Sequence, residues 1–519
     1  MQLRRAATCA ALCLSVLLHP AQAQDVTLTS RDGSIELTGT LLGFDGEFYR
    51  LDTVYGELTV DGSGVLCDGP GCPNLQDFVA ELSISGSAAM GAILMPALVE
   101  GFALRNGYRA RRVVEDKTHF SYHLSDEATG KRAAVFSFRV TNTDEGFADL
   151  LANEADIVMA LREIRAQEQV RAEEAGLGDL TGDNRSRVVA LDGIVPIVAP
   201  NNPVRQISPL ELARIYAGQI TNWSELGGPD APISLHAPVQ KTGLGQAIED
   251  KIIIPAGFQM SPNITRHARG IELSQRVAED AFALGVVSFA EVGDAQALTL
   301  TGPCGRALRA TRRTIKTEDY PLTAPMFLYL PARRLPKIAR EFLAYTRGPS
   351  AQIVIRRAGF VDQAPEEVPV DDQGNRLANA IAAAGGEVPL TELQRMVGVL
   401  SPMKRLTTSF RFETGSARLD AQSRSNVQQL ARELEQGGYD ARKLLFVGFS
   451  DGEGPAIANK SIALQRAEAV RRAVVEAAET ADINQVQLEI DAFGEAMPMA
   501  CDGSAWGRLT NRRVEVWVR

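Results

Sequence analysis

Residues 26 to 60 alternate apolar and polar side chains, and this two-residue period predicts strands from Val26 to Ser30, Ser34 to Phe44, Phe48 to Thr53 and Gly56 to Val60. The runs break at Asp32-Gly33, Asp45-Gly46 and Asp61-Gly62, where glycine tolerates the positive φ of a tight hairpin. A small antiparallel β domain over residues 24 to 79 is expected. It carries no catalytic constellation and reads as a structural module or a docking surface for a protein partner. From about 80 to 365 short apolar strands alternate with helical stretches, the α/β rhythm. Ser208-Pro209-Leu210-Glu211 offers a capping Ser, a Pro in the first turn and a Glu that reaches back to the cap, so a helix should run from there to about Ala217, before Gly218. Residues 362 to 375 are acidic and Pro-bearing and read as linker; short helices are expected within 366 to 403. From 404 to 519 the order is strand (Ser409 to Phe412), helix (Ala421 to Glu435), strand (Lys443 to Phe449), helix (Ala458 to Ala477), strand (Val486 to Ala492) and strand (Arg513 to Val518), a compact α/β sandwich.

Length agrees with this partition, since 519 residues at roughly 150 per domain give about three or four domains. With 45% hydrophobic and 23% charged residues the composition is that of packed domains. The net charge of -10 and 6% aromatics argue against a nucleic-acid surface. Arg4 and Arg5, an apolar run from Ala6 to Leu18 and Ala21-Gln22-Ala23 mark residues 1 to 23 as a secretory signal peptide. The run is shorter than the about 20 residues of a membrane span, and simple cleavage is expected rather than lipid attachment at Cys13. Of the remaining cysteines, Cys67 and Cys72 flank a turn-forming Asp-Gly-Pro-Gly and should form a disulfide in an oxidising compartment. Cys304 and Cys501 either bridge two domains or are buried free thiols. The chain has no nucleophile elbow, zinc spacing or phosphate-cradling Gly loop, and His119, His123, His236 and His267 make no metal pattern. No enzyme, metal or cofactor is expected.

The stretch VVALDGIVPIVAPNNPVRQISPLELARIYAGQITNWSELGG, from Val188 to Gly228, resembles the PstS-like family of periplasmic phosphate-binding proteins. ELSISGSAAMG near Glu81, ADIVMALREI at Ala155, LGVVSFAEV at Leu284 and AQIVIRRAGFVDQ at Ala351 extend the resemblance over about 80 to 365. It implies a two-lobed (type 2) binding-protein fold with ligand held between the lobes, crossovers at Asp192 to Pro200 and Leu284 to Val292, and a cleft containing Ser87, Arg162, Thr242 and Gly243. Oxyanion binding asks for convergent hydroxyls, N–H groups and an arginine. Here Leu161, Leu244 and Pro238 stand where the family carries two polar residues and an arginine, with Lys241 as the nearest cation. Each lost charge-assisted bond costs about 1.5–3 kcal/mol, so the expectation is weak or altered anion binding, another small ligand, or a cleft with no transport ligand. Ser87, Thr242 and Gly243 serve equally well as turn and cap residues, and Arg162 as half of a surface ion pair. Arg306, Arg309, Arg312, Arg313 and Lys316 form a basic cluster that reads as a solvated face or an attractor of anions.

From Phe410 to Arg519 the chain resembles the OmpA C-terminal family, through Phe410 to Leu419, Gly448-Phe449-Ser450-Asp451, Asn459 to Val470, Gly494-Glu495 with Pro498, and Asn511 to Glu515. The resemblance implies non-covalent binding to peptidoglycan, and so a place in the periplasm, on the cell wall near the outer membrane. A diaminopimelate stem ends in a zwitterionic centre, which calls for a carboxylate and a guanidinium; Asp451 and Arg466 suit those roles. Asn459 reads as a helix cap near the same site. Arg512 and Arg513 either line the pocket or keep an edge strand soluble. An internal Asp451–Arg466 ion pair is the competing structural reading. The combined expectation is a wall-anchored protein displaying a PstS-like module; the rival is a phosphate- or anion-binding protein serving an ABC permease.

Overall fold

A computed structural model of the protein describes residues 25–519, except 76, 77, 183, 386, 414, 415 and 417. The signal-peptide segment, residues 1–23, lies outside the described residues. Among the described residues no helix is long and apolar enough to cross a membrane. The chain divides into two compact units, one ending at Phe78 and one beginning at Val79.

The first unit is a five-stranded antiparallel sheet. Asp25–Ser30 lies between Glu36–Phe44 and Val65–Asp68, while Phe48–Thr53 and Gly56–Asp61 continue beyond Glu36–Phe44. Alternate residues Val26, Leu28, Tyr49 and Leu51 make its core. Gly33 and Gly46 take the positive φ that their turns require. Asp61-Gly62 differs: Asp61 caps a short 3-10 turn by accepting from the Ser63 amide at 2.8 Å, and the chain proceeds to Val65–Asp68, a fifth strand absent from the pattern reading. Cys67, on that strand, is bonded to Cys72.

In the second unit one sheet runs through both lobes of an α/β module. Its order is Thr265–His267, Ser234–Pro238, Ala283–Ser288, Ser186–Val198, Thr323–Tyr329, Ile157–Ala160, Ala80–Ser87, Arg132–Thr141, His119–Asp126 and Tyr108–Val114. Ser186–Val198 joins the lobes, its first half pairing with Thr323–Tyr329 and its second with Ala283–Ser288. Asp192, at the change of partner, accepts from Ser288 Oγ (2.5 Å) and the Phe289 amide (3.0 Å); burial raises its pKa to about 6. The expected second crossover needs correction. Ala283–Ser288 stays in the second lobe and the chain returns through residues 317–323, because the strands after 288 pair with Ile197–Val198 and Gln206–Ile207. Pro209–Tyr216 begins with the full capping box on Ser208 and Glu211 and ends before Gly218, as its sequence dictates.

The C-terminal sheet has the order Glu367–Val368, Lys404–Phe410, Arg513–Val518, Lys443–Phe449 and Gln487–Gly494. Ala421–Glu435 and Ala456–Ala477 supply apolar residues to one face, and Leu390–Leu400 with Ala380 to the other. Arg513–Val518 is central, so the edge-strand role for Arg513 does not hold: its fully buried guanidinium bonds Glu515, Asn511 O and Met497 O. The first strand starts earlier than predicted and ends at Phe410, leaving Phe412 in an isolated bridge to Leu419.

The stretch from 362 is packed between the two domains. Lys316 donates to Asp362 (2.9 Å) and Glu366 (2.6 Å), Arg313 to Asp372 (2.9 Å), and Arg312 lies 3.6 Å from Glu366. The basic cluster therefore does not form a solvated face as a whole: Arg312, Arg313 and Lys316 meet the acids of this strap, while Arg306 donates to Ala500 O. Arg405 donates twice to Asp319 (2.6 and 3.0 Å), Ser409 donates to Thr317 O, and Trp506 to Lys251 O. Cys304 and Cys501 form a disulfide across the junction.

Candidate functional sites

The cleft is assembled from strand ends and a helix start. Ser87 closes the strand Ala80–Ser87 after Gly86, whose φ of +128° and contact with the Met159 carbonyl leave no room for a Cβ. Leu161 follows Ile157–Ala160, its amide bonded to Thr143 Oγ1 at 3.2 Å. Thr242 caps Gly243–Ile248 by accepting from the Gly245 amide and donating to Val239 O.

Ser87, Leu161 and Gly243 converge. A Cβ on Gly243 would stand 2.8 Å from Leu161 Cδ1 and 2.9 Å from Ser87 Oγ. Ser87 Oγ is buried with no hydrogen-bond partner. Arg162 is engaged elsewhere: its nearly buried guanidinium pairs with Asp144 and with Glu168 at 2.7 Å, above the ring of Phe147. The surface-pair reading of Arg162 is thus corrected to a largely buried one. The lobes are tied across this contact by Gln246 Nε2 donating to Asp144 Oδ2 (2.7 Å) and by Arg165 with Asp250 at 3.5 Å. Lys241 is exposed, whereas Arg266, which the pattern reading passed over, donates to Pro238 O.

The second site lies at one end of the C-terminal sheet. A pocket of about 470 Å³ is lined by Asp451, Asn459, Arg466 and Arg512, with Phe412 and Glu453. Asp451 follows Lys443–Phe449; its side chain is 7% exposed and accepts from Arg512 Nε. An Asp451–Arg466 ion pair is therefore not what forms. Arg466, within Ala456–Ala477, lies with Cζ 5.2 Å from the centroid of Phe412. Burial and then Arg512 lower its pKa, opposed by Asp451. Asn459 is not a cap, since the helix starts after Pro455 and Asn459 is buried within it, donating to Glu495 (2.7 Å) and Gly454 O. The Ser450 hydroxyl is buried without a partner at the same pocket. A guanidinium with no ion pair among the described residues, that of Arg466, one carboxylate and an aromatic face thus meet in a concave site, an arrangement able to bind a zwitterionic amino-acid centre.

Residues 85–349 match the PBP superfamily domain and residues 411–512 the OmpA family. Protein SphX of Synechocystis sp. is 26% identical over 261 residues, spanning 47% of this chain and 74% of the relative. Phosphate-binding protein PstS of Staphylococcus haemolyticus is 24% identical over 251 residues, spanning 46% and 75%. Among solved structures, an ABC-type phosphate transport receptor from Vibrio cholerae covers 54% of this chain and 99% of its own at 21% identity and a TM-score of 0.41. The peptidoglycan-associated lipoprotein of Burkholderia pseudomallei covers 21% and 89%, at 28% identity and a TM-score of 0.19. The chain belongs to the PBP superfamily, with a PstS-like two-lobed module joined to a C-terminal OmpA family domain.

Proposed function

We propose that the protein is a non-enzymatic periplasmic component, held non-covalently to peptidoglycan near the outer membrane by residues 404–519 and displaying a PstS-like module with a modified anion cleft. The observation that carries this reading is the convergence of Asp451, Arg466 and Arg512 in one pocket. In this role Arg466 receives the carboxylate of the diaminopimelate centre, Asp451 its ammonium, and Arg512 holds Asp451 in place. Asn459, which lines the pocket, is held by its hydrogen bond to Glu495. The cleft supports a display role over delivery: Leu161 occupies the side of Gly243 where an oxyanion would need donors, and Arg162 is committed to two carboxylates. Residues 24–79 would form a separate module for a protein partner, with 80–365 as the two-lobed module and 366–403 as a strap.

Sedimentation of the mature protein with purified sacculi tests the anchor. Wild type should be retained, and Asp451→Asn and Arg466→Ala released; undiminished retention of both variants would overturn the assignment. The second reading, phosphate or anion capture for an ABC permease, is favoured by the names of the relatives. Equilibrium dialysis with labelled phosphate separates the two, since saturable binding at micromolar concentration supports the carrier and refutes the modified cleft.

A further inference from the structure

Beside the closed cleft lies a second chamber of about 320 Å³, walled by both lobes and by the C-terminal domain. At roughly 30 Å³ per water it has room for about ten waters, or one small organic molecule. Leu161, Tyr320, Pro321 and Phe327 form its apolar wall on the two-lobed module, and Phe412 and Trp506 form it on the C-terminal side.

The charged groups that reach the chamber divide by whether they are already satisfied. Arg411 donates to the carbonyls of Leu509, Thr510 and Glu318. Asp420 accepts from the Ser423 amide, Asp250 faces Arg165, and Arg162 has its two carboxylates. Glu163, Glu318 and Lys251 remain. Glu318 is nine-tenths buried; Oε1 has no hydrogen-bond partner among the described residues and Oε2 lies 4.0 Å from Arg411 Nε. Glu163 accepts a single long bond, 3.4 Å, from the Ala421 amide. The Lys251 ammonium makes no hydrogen bond or ion pair among the described residues. Burial, the leading cause in each case, raises the pKa of Glu163, lifts that of Glu318 to about 8 and lowers that of Lys251. Burial thus works against the charged form of each group.

The signs of these groups select the occupant. A simple anion would face Glu163, Glu318 and Asp420, a simple cation would face Lys251, and an apolar molecule would leave Glu163, Glu318 and Lys251 poorly solvated. We infer that the chamber binds a small zwitterion, a free α-amino acid being the simplest, with its ammonium toward Glu163 and Glu318, its carboxylate on Lys251 and its side chain against Trp506 and Phe412. The inference goes beyond wall anchoring and does not depend on it: the pocket of Asp451 and Arg466 is a different site, lined by different charges.

Isothermal titration of the mature, disulfide-bonded protein near pH 7 with L-alanine, L-leucine and L-phenylalanine tests it, with isoamylamine and 4-methylpentanoate as leucine analogues lacking the carboxylate or the ammonium. At least one amino acid should bind saturably and neither analogue should. Lys251→Met and Glu318→Gln should each weaken binding by about tenfold or more, the scale of one lost charge-assisted bond. If Lys251→Met does not fold, Glu318→Gln and the analogue comparison on wild type carry the test. No saturable heat from any of the three amino acids, equal binding of either analogue, or unchanged affinity in the folded variants would overturn the inference.

Discussion

Replacing Asp319 with alanine should damage the junction between the two-lobed module and the C-terminal domain more than any exposed charge removal. Asp319 and Arg405 are 4% and 3% exposed and share two hydrogen bonds of 2.6 and 3.0 Å. Arg405 Nε also lies 3.3 Å from Glu515, a fully buried carboxylate that Arg376 and Arg513 use as well. Without Asp319, three buried guanidiniums would depend on one carboxylate. Breaking such a pair from one side costs about 3–5 kcal/mol, against about 0–1 kcal/mol for a surface pair. Denaturant unfolding of the disulfide-bonded protein, followed by tryptophan fluorescence, measures the loss. Asp319→Ala combined with Arg405→Met should lose less than Asp319→Ala alone, because the orphaned charge is gone. A single-variant loss below about 1 kcal/mol, or no relief in the double variant, would refute the reasoning. The network also sets an acid limit. Burial disfavours charge on Glu515, but Arg376, Arg405 and Arg513 overcome it and bring the pKa down to about 2; Asp319 is likewise held well below the usual carboxylate range. With native values below unfolded ones, this stabilisation is fully present above the ordinary carboxylate range of about 4 and is lost as pH falls toward 2.

The Cys304–Cys501 disulfide closes a loop of 197 residues, so replacing both cysteines with serine should lower stability by up to about 5 kcal/mol in the chain-entropy view; the same denaturant assay reads it, and an unchanged curve would contradict it. Gly243→Ala should cost about 1–3 kcal/mol by overpacking, because its Cβ meets Leu161 and Ser87; a neutral result in thermal unfolding would mean the lobes stand apart there. Leu161→Ser should raise phosphate affinity in equilibrium dialysis by restoring a hydroxyl beside Ser87, and unchanged affinity would show that Leu161 does not limit anion binding there.

Local rules made much of this architecture legible. The capping box at Ser208 and Glu211 set a helix start, and the period of the C-terminal stretch placed Ala421–Glu435 and Lys443–Phe449. The strand Val65–Asp68 escaped because four residues are too few to display a period. What depends on distant partners was not legible. The bases of 306–316 and the acids of 362–372 resemble a charged face and a linker until Lys316 is seen between Asp362 and Glu366. In the pocket of the C-terminal domain the residue types were readable, yet their partners were not: Asp451 meets Arg512, and Asn459 lies a turn too deep to cap. The chamber roofed by Trp506 required two domains to meet, which no local pattern encodes.

If the pocket of Asp451, Arg466 and Arg512 holds the protein to peptidoglycan through a zwitterionic diaminopimelate centre, that centre in free form should compete for it. Elution of sacculus-bound protein by competitors tests it most directly. Free meso-diaminopimelate should release the protein in a concentration-dependent way at constant ionic strength, while pimelate, which has both carboxylates and neither ammonium, should not. Equal release by pimelate, or retention unaffected by meso-diaminopimelate, would contradict the account.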